Sequence, residues 1–190
     1  MPKIDAPTVA EHHARRRAAI IGAAADLLGQ GPAAVTPAAV AGAAGLARSS
    51  VYQYYPSTGA LLGAAVEETF ARALAVLDVA MQASAAPRDR VVAYLDASLA
   101  AALAGHLPQA AYAGPQIPQA CLDRVAELHA ELVRPLVDAL RAAGVTDPAG
   151  VAGLINGAVS AAATQVQRGE PLPAASERLR VFVLHATGLV

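Results

Sequence analysis

Cysteine is almost missing from this chain: Cys121 is the single thiol in 190 residues. A lone cysteine forms no intrachain disulfide and no thiolate zinc site, which excludes a stapled secreted scaffold and fits a reducing compartment. Tryptophan is absent, aromatic residues make up 4% of the sequence and charged residues 15%. The formal net charge is −1, so the whole molecule is not a polycation built for nucleic acid or acidic membranes, although a local basic surface is allowed. The opening residues, Met1 to Pro7, contain no apolar run of the kind a signal peptide needs, and a cytoplasmic location is expected.

Two uncharged stretches fail as membrane spans. Ala97 to Leu122 is broken by Pro108, Pro115 and Pro118. Pro148 to Gln167 has the length and a Gly153-x-x-x-Gly157 pattern, but it is mostly small residues and includes Asn156, Ser160, Thr164 and Gln165. A buried helix suited to a subunit interface is expected there, and no membrane partner.

What the chain does have is alanine, at 50 positions, within a composition that is 55% hydrophobic. That is enough to bury a real core and excludes disordered, collagenous and low-complexity classes. Apolar residues recur at helical spacing and no fixed-period repeat appears, so the expected fold is all-α with about nine helices. Thr8-x-x-Glu11 reads as a capping box opening a helix over residues 9–29, with Ile20, Ala24, Leu27 and Leu28 on one face. Thr36-Pro37 starts a short helix that Gly45 closes, and Leu46 to Tyr55 forms another. Pro56-Ser57 breaks the chain and caps a long helix striped by Leu62, Val66, Phe70, Leu74, Leu77 and Met81. Further helices are expected over Arg88 to Ala104, within the proline-rich interval Gly105 to Pro118, and over Gln119 to Ala143, Pro148 to Arg168 and Ala174 to Gly188.

Charge divides where the helices change character. Residues 1–56 carry a net of +2 and the remainder a net of −3, which makes the N-terminal third the candidate surface for an anionic partner. Within it, Thr36 to Tyr55 is two short helices joined by a tight turn, the arrangement of a helix-turn-helix whose second helix enters the DNA major groove. On a helical projection Val51 and Tyr55 point inward toward Val40, leaving Arg48, Ser49, Tyr52 and Gln53 outward. Arg48 can bond guanine bidentately, Gln53 can pair with adenine, and the hydroxyls of Ser49 and Ser50 can meet base or phosphate. Thr36 and the start of its helix are natural phosphate contacts.

Residues 35–62, "VTPAAVAGAAGLARSSVYQYYPSTGALL", resemble the helix-turn-helix and following helix of the TetR/AcrR family of bacterial transcriptional repressors, and Arg17 with "AAIIGAAADLLGQG" resembles that family's first helix. The Ala44-Gly45 turn, Tyr52-x-Tyr54-Tyr55 and Leu61-Leu62 after the serine carry the likeness; beyond residue 70 it is architectural only. Three positions depart from the pattern: Ala47 stands where serine or threonine usually caps the recognition helix, Thr58 where a lysine usually begins the next, and Gly59 where an acidic residue is common.

The resemblance implies a DNA-binding domain over residues 1–56 and a ligand-binding and dimerisation domain over residues 57–190. It implies a homodimer on a palindromic double-stranded DNA operator, released by a small, largely apolar effector, with no cofactor. It places Tyr54 at the DNA backbone beside the residues above, and a pairing surface on the last two helices, with Gly153, Gly157, Leu179 and Phe182; the run Arg15-Arg16-Arg17 beside a helix-turn-helix is separately expected to bring at least one arginine, Arg17 the candidate, to phosphate or the minor groove. Tyr94, His106, Tyr112, Gln116, Cys121 and Asn156 are the pocket candidates, each a polar-tipped group in an apolar stretch. No metal site is expected: His12 and His13 are adjacent and diverge on a helix, and His129 lies off the face shared by Glu127 and Glu131. Two alternatives stand beside this reading. One is an interaction or ligand-binding protein with a degenerate DNA-binding domain. The other is a helical-bundle enzyme, disfavoured because the sequence offers no Glu-x-x-His pair, phosphate loop or serine, histidine and acid constellation.

Overall fold

The computed structural model describes residues 9–105 and 119–190. Among the described residues there are eight α-helices and no strands: α1 (Val9–Leu28), α2 (Pro37–Ala43), α3 (Arg48–Tyr54), α4 (Thr58–Gln82), α5 (Pro87–Leu103), α6 (Gln119–Ala142), α7 (Pro148–Gln167) and α8 (Leu172–Thr187). The ninth, proline-broken helix expected between Gly105 and Pro118 falls outside the described residues, as does the Thr8 half of the capping box. Helices α5 and α8 each begin earlier than their spacing predicts, because Pro87 and Pro173 sit in the first turn, where a missing N–H costs nothing.

Local chemistry sets the boundaries that matter most. The Thr36 hydroxyl accepts a hydrogen bond from the Ala39 amide (3.2 Å) to open α2, and the Ser57 hydroxyl accepts from the Ala60 amide (3.1 Å) to open α4. Each such cap contributes on the order of 1 kcal/mol. Gly45 adopts φ +66, and the pair of bonds Leu46 N to Ala41 O (2.9 Å) and Gly45 N to Gly42 O (3.3 Å) closes α2 in a Schellman turn. Leu46 therefore belongs to that turn, and α3 starts two residues later than the sequence reading placed it.

A continuous cluster of buried side chains runs from Ile20, Ala24 and Leu28 of α1 through Val40 and Val51 to the stripe on α4 and onward into α5 to α8. Helix α1 packs along α4, and α5 lies at the centre of the C-terminal bundle against α4, α6, α7 and α8. Ion pairs fix two of these crossings: Arg72 of α4 meets Asp26 of α1 at 2.8 Å, and Arg180 of α8 meets Asp96 of α5 with two bonds of 2.8 and 2.7 Å. Among the described residues α7 is the one helix long and apolar enough to cross a membrane, but its Ala152, Ile155, Val159, Ala162 and Ala163 are buried within the bundle.

Candidate nucleic-acid interface and effector region

Helix α3 is short, and its seven residues are divided between core and solvent by two anchors. Val51 is fully buried and Tyr55, just past the helix end, is nearly so. With these turned inward, Arg48, Ser49, Tyr52 and Gln53 face solvent, while Ser50 and Tyr54 are half-buried. The structure thus assembles the polar face expected from helical projection. It also joins two of its members: Arg48 donates to the Tyr52 hydroxyl (3.2 Å) and its guanidinium lies 5.6 Å from the centre of that ring. Arg48 is thereby held along the helix with donors to spare, since a guanidinium has five. Thr36 remains exposed while capping α2, and its own O–H is available as a donor.

Two local imperfections give testable consequences. Ala47 sits at the N-cap of α3 in an extended conformation and provides no side-chain bond. Ala47→Ser is expected to stabilise the protein by about 1 kcal/mol by satisfying an amide of the first turn, read as a rise in Tm. The Tyr55 hydroxyl is buried and has no hydrogen-bond partner among the described residues. Tyr55→Phe removes that stranded group while keeping the ring, and a gain of about 1 kcal/mol in chemical denaturation is expected.

Arg17 lies on the exposed N-terminal half of α1, on the side where α1 approaches α3. There the ring of His13 packs against that of Tyr54, with centroids 4.5 Å apart and planes inclined by 40°. Sequence reading gave His13 no role, because the contact depends on the crossing of α1 over α3 and leaves no signature in spacing.

Of the six expected effector-pocket residues the structure brings two together. The buried Tyr94 of α5 donates its hydroxyl to Asn156 Oδ1 of α7 (3.0 Å). Burial raises the phenol above its ordinary pKa, and neighbouring Ser98 and Asn156 only partly offset this. Ser98 is 1% exposed, and its Oγ has no hydrogen-bond partner within ordinary bonding geometry among the described residues. His106, Tyr112 and Gln116 lie outside the described residues, as does the side chain of Cys121 in α6. A groove of about 280 Å³ runs between α4 and α6, with Phe70, Leu74, Leu128 and Leu132 beneath a charged rim. In that rim Arg124 bonds Glu67 (3.2 Å) and Glu127 (2.9 Å) and lies 3.8 Å from Glu131, so the acidic pair flanking His129 is engaged by an arginine. No cluster able to hold a metal occurs among the described residues.

The expected pairing surface needs one correction. Gly153 and Gly157 are exposed and Phe182 is 59% exposed, but Leu179 is only 5% exposed. Ala175, Leu179 and Val183 follow one another at turn spacing on the inner face of α8, which places Leu179 in the core of its own chain. The outward large apolar groups of α7 and α8 are Leu154, at 75% exposure, with Leu172, Val181 and Phe182.

A bundle of helices carrying a capped helix-turn-helix at its N-terminal end, with a polar recognition face and a basic first helix beside it, has the form of a helix-turn-helix transcriptional regulator. Residues 20–65 match the family described as bacterial regulatory proteins, tetR family. The match is confined to this N-terminal segment, the part that carries α2 and α3. No protein of curated function matches the chain by sequence. The full fold is shared with solved structures of low identity. A putative TetR-family transcriptional regulator from Rhodococcus sp. is 23% identical with a TM-score of 0.70, the match covering 93% of this chain and 98% of that one. The TetR-like regulator LfrR from Mycobacterium smegmatis, in complex with proflavine, is 22% identical with a TM-score of 0.68, covering 90% and 96%. The transcriptional regulator FadR from Bacillus subtilis, in complex with stearoyl-CoA, is 14% identical with a TM-score of 0.72, covering 88% and 97%.

Proposed function

We propose that the protein is a cytoplasmic, homodimeric, ligand-responsive repressor that holds a near-palindromic operator and releases it when a small, largely apolar effector enters the C-terminal bundle. The observation that carries this reading is the outward polar face of α3, with Arg48, Ser49, Tyr52 and Gln53 exposed together while Val51 anchors the helix. Residues 1–56 serve as the DNA-binding part and residues 57–190 as the effector and pairing part. Arg48 and Gln53 read base edges, with Ser49, Ser50 and Tyr52 beside them. Thr36, Arg17 and Tyr54 meet the backbone.

Solved structures of this fold bound to proflavine, to stearoyl-CoA and to choline support a small-molecule effector. Tyr94 and Asn156 offer the polar anchors such a ligand needs in an apolar bundle. Release is a population shift: the effector favours a conformation in which the two α3 helices no longer match successive major grooves. Helix α4 connects the two parts, since it packs on α1 and on α5 and α6, and Arg72 links it to Asp26. The outward face of Gly153, Leu154, Gly157 and Phe182 pairs with its copy. Selection of duplexes from a random-sequence pool tests the reading. Enrichment of an inverted repeat with half-sites about one helical turn apart is expected; recovery of no preferred sequence would contradict it.

A further inference from the structure

The first turns of α1 contribute nothing to the core. Every residue from Ala10 to Ala19 is exposed, and burial begins only at Ile20. A projecting helix of this kind needs a docking point to hold one direction, and the His13 ring against Tyr54 provides it. Between the projecting part of α1 and the end of α3 runs an open cleft of about 840 Å³, lined by Ala10, His13, Ala14, Arg17, Gln53 and Tyr54. Its polar groups are a guanidinium, an imidazole, an amide and a phenol, all able to donate hydrogen bonds, and among the described residues no carboxylate lines it. Arg15 and Arg16 extend the same positive stretch of helix.

We infer that this cleft seats a phosphodiester of the duplex backbone beside each half-site, and that His13 is a DNA contact acting with Arg17 and Tyr54. The inference rests on the DNA-binding reading above and adds to it a place and a residue. Gln53 belongs both to the outward face of α3 and to the cleft, so a strand held here is continuous with the groove that α3 enters. Two small side chains, Ala10 and Ala14, leave the cleft open to a group as bulky as a phosphate. A contact of this kind fixes register and carries no sequence information. His13 substitutions should therefore weaken binding to every duplex alike, unlike those at Arg48.

The test uses the full chain and the tightest duplex that it recovers from a random-sequence pool. His13→Ala and Arg17→Ala are each expected to weaken that duplex about tenfold, as loss of a charge-assisted bond does, with an unchanged order of preference among duplexes. Arg17→Ala should also lower the slope of log affinity against log salt by about one. His13→Gln, which keeps a donor, should recover part of the loss. Neutral methylphosphonates are then placed at single backbone positions. One position is expected to cost the wild-type protein about tenfold and to cost the His13→Ala, Arg17→Ala double variant nothing further. If His13→Ala binds as tightly as wild type, or each methylphosphonate costs the double variant as much as the wild type, the seat is overturned while the DNA-binding reading stands. If the wild-type protein recovers no preferred duplex, the DNA-binding reading falls and the seat with it.

Discussion

Arg48→Ala is expected to abolish discrimination at one base pair in each half-site while leaving the fold intact. The side chain is exposed, and its contacts within the chain are to Tyr52 on the same helix, so nothing in the core depends on it. A bidentate arginine-to-guanine contact is worth about 1–3 kcal/mol of discrimination. Used twice on a two-fold operator, it makes the expected loss about 2–6 kcal/mol, or roughly 30-fold to 10⁴-fold in affinity. Arg48→Lys separates geometry from charge: it keeps the cation but loses the planar fork, and should retain salt-dependent binding while losing most of the preference for guanine. Binding competition with single-base operator variants checks both. Equal affinity and unchanged preference in Arg48→Ala would remove Arg48 from the reading face.

Phe182→Glu is expected to have the second large effect, through assembly. Phe182 is 59% exposed and Leu154 75% exposed on the outer faces of α8 and α7. The glycines at 153 and 157 are exposed on the same helix as Leu154, and a Cβ added at either would meet no atom of another element within 4 Å among the described residues. An outward apolar face bearing small residues lets a second helix approach closely, and a two-fold axis brings each substituted position near its copy. A carboxylate there meets apolar surface and its own equivalent, and the dimer should dissociate to monomer in sedimentation analysis. Loss of the second reading head then lowers operator affinity by about 10²-fold to 10⁴-fold, the usual scale for losing bivalent attachment. A variant that remains dimeric would place the pairing surface elsewhere.

Much of the architecture was legible because it is encoded locally. The Thr36 and Ser57 hydroxyls, the Gly45 turn and the stripe from Leu62 to Met81 are short-range signals with single physical meanings, and each appears where the spacing put it. The inward direction of Val51 and Tyr55 follows from the same periodicity, so the outward face of α3 followed too. What was not legible depends on how helices cross. The His13–Tyr54 stack, the Asp26–Arg72 pair and the Tyr94–Asn156 bond join residues on different helices, and no spacing rule reveals them. Leu179 shows the related difficulty: an apolar residue on an amphipathic helix is readable as buried, but whether its own chain or a partner covers it depends on the rotation of α8 in the bundle. The departures at Ala47 and Thr58 act within this intact frame. Ala47 leaves α3 without a side-chain cap, and at position 58 the helix begins under the Ser57 cap.

Sequence-specific DNA binding is the claim on which the rest depends. It is tested most directly by fluorescence-anisotropy titration of the full chain against the DNA upstream of its own gene, beside a scrambled duplex of the same composition, at two salt concentrations. The expected result is tight binding to the genuine fragment alone, with a preference that persists at the higher salt because base contacts carry it. Equal, weak and steeply salt-dependent binding to both duplexes would contradict the account and favour an interaction protein whose DNA-binding half has degenerated.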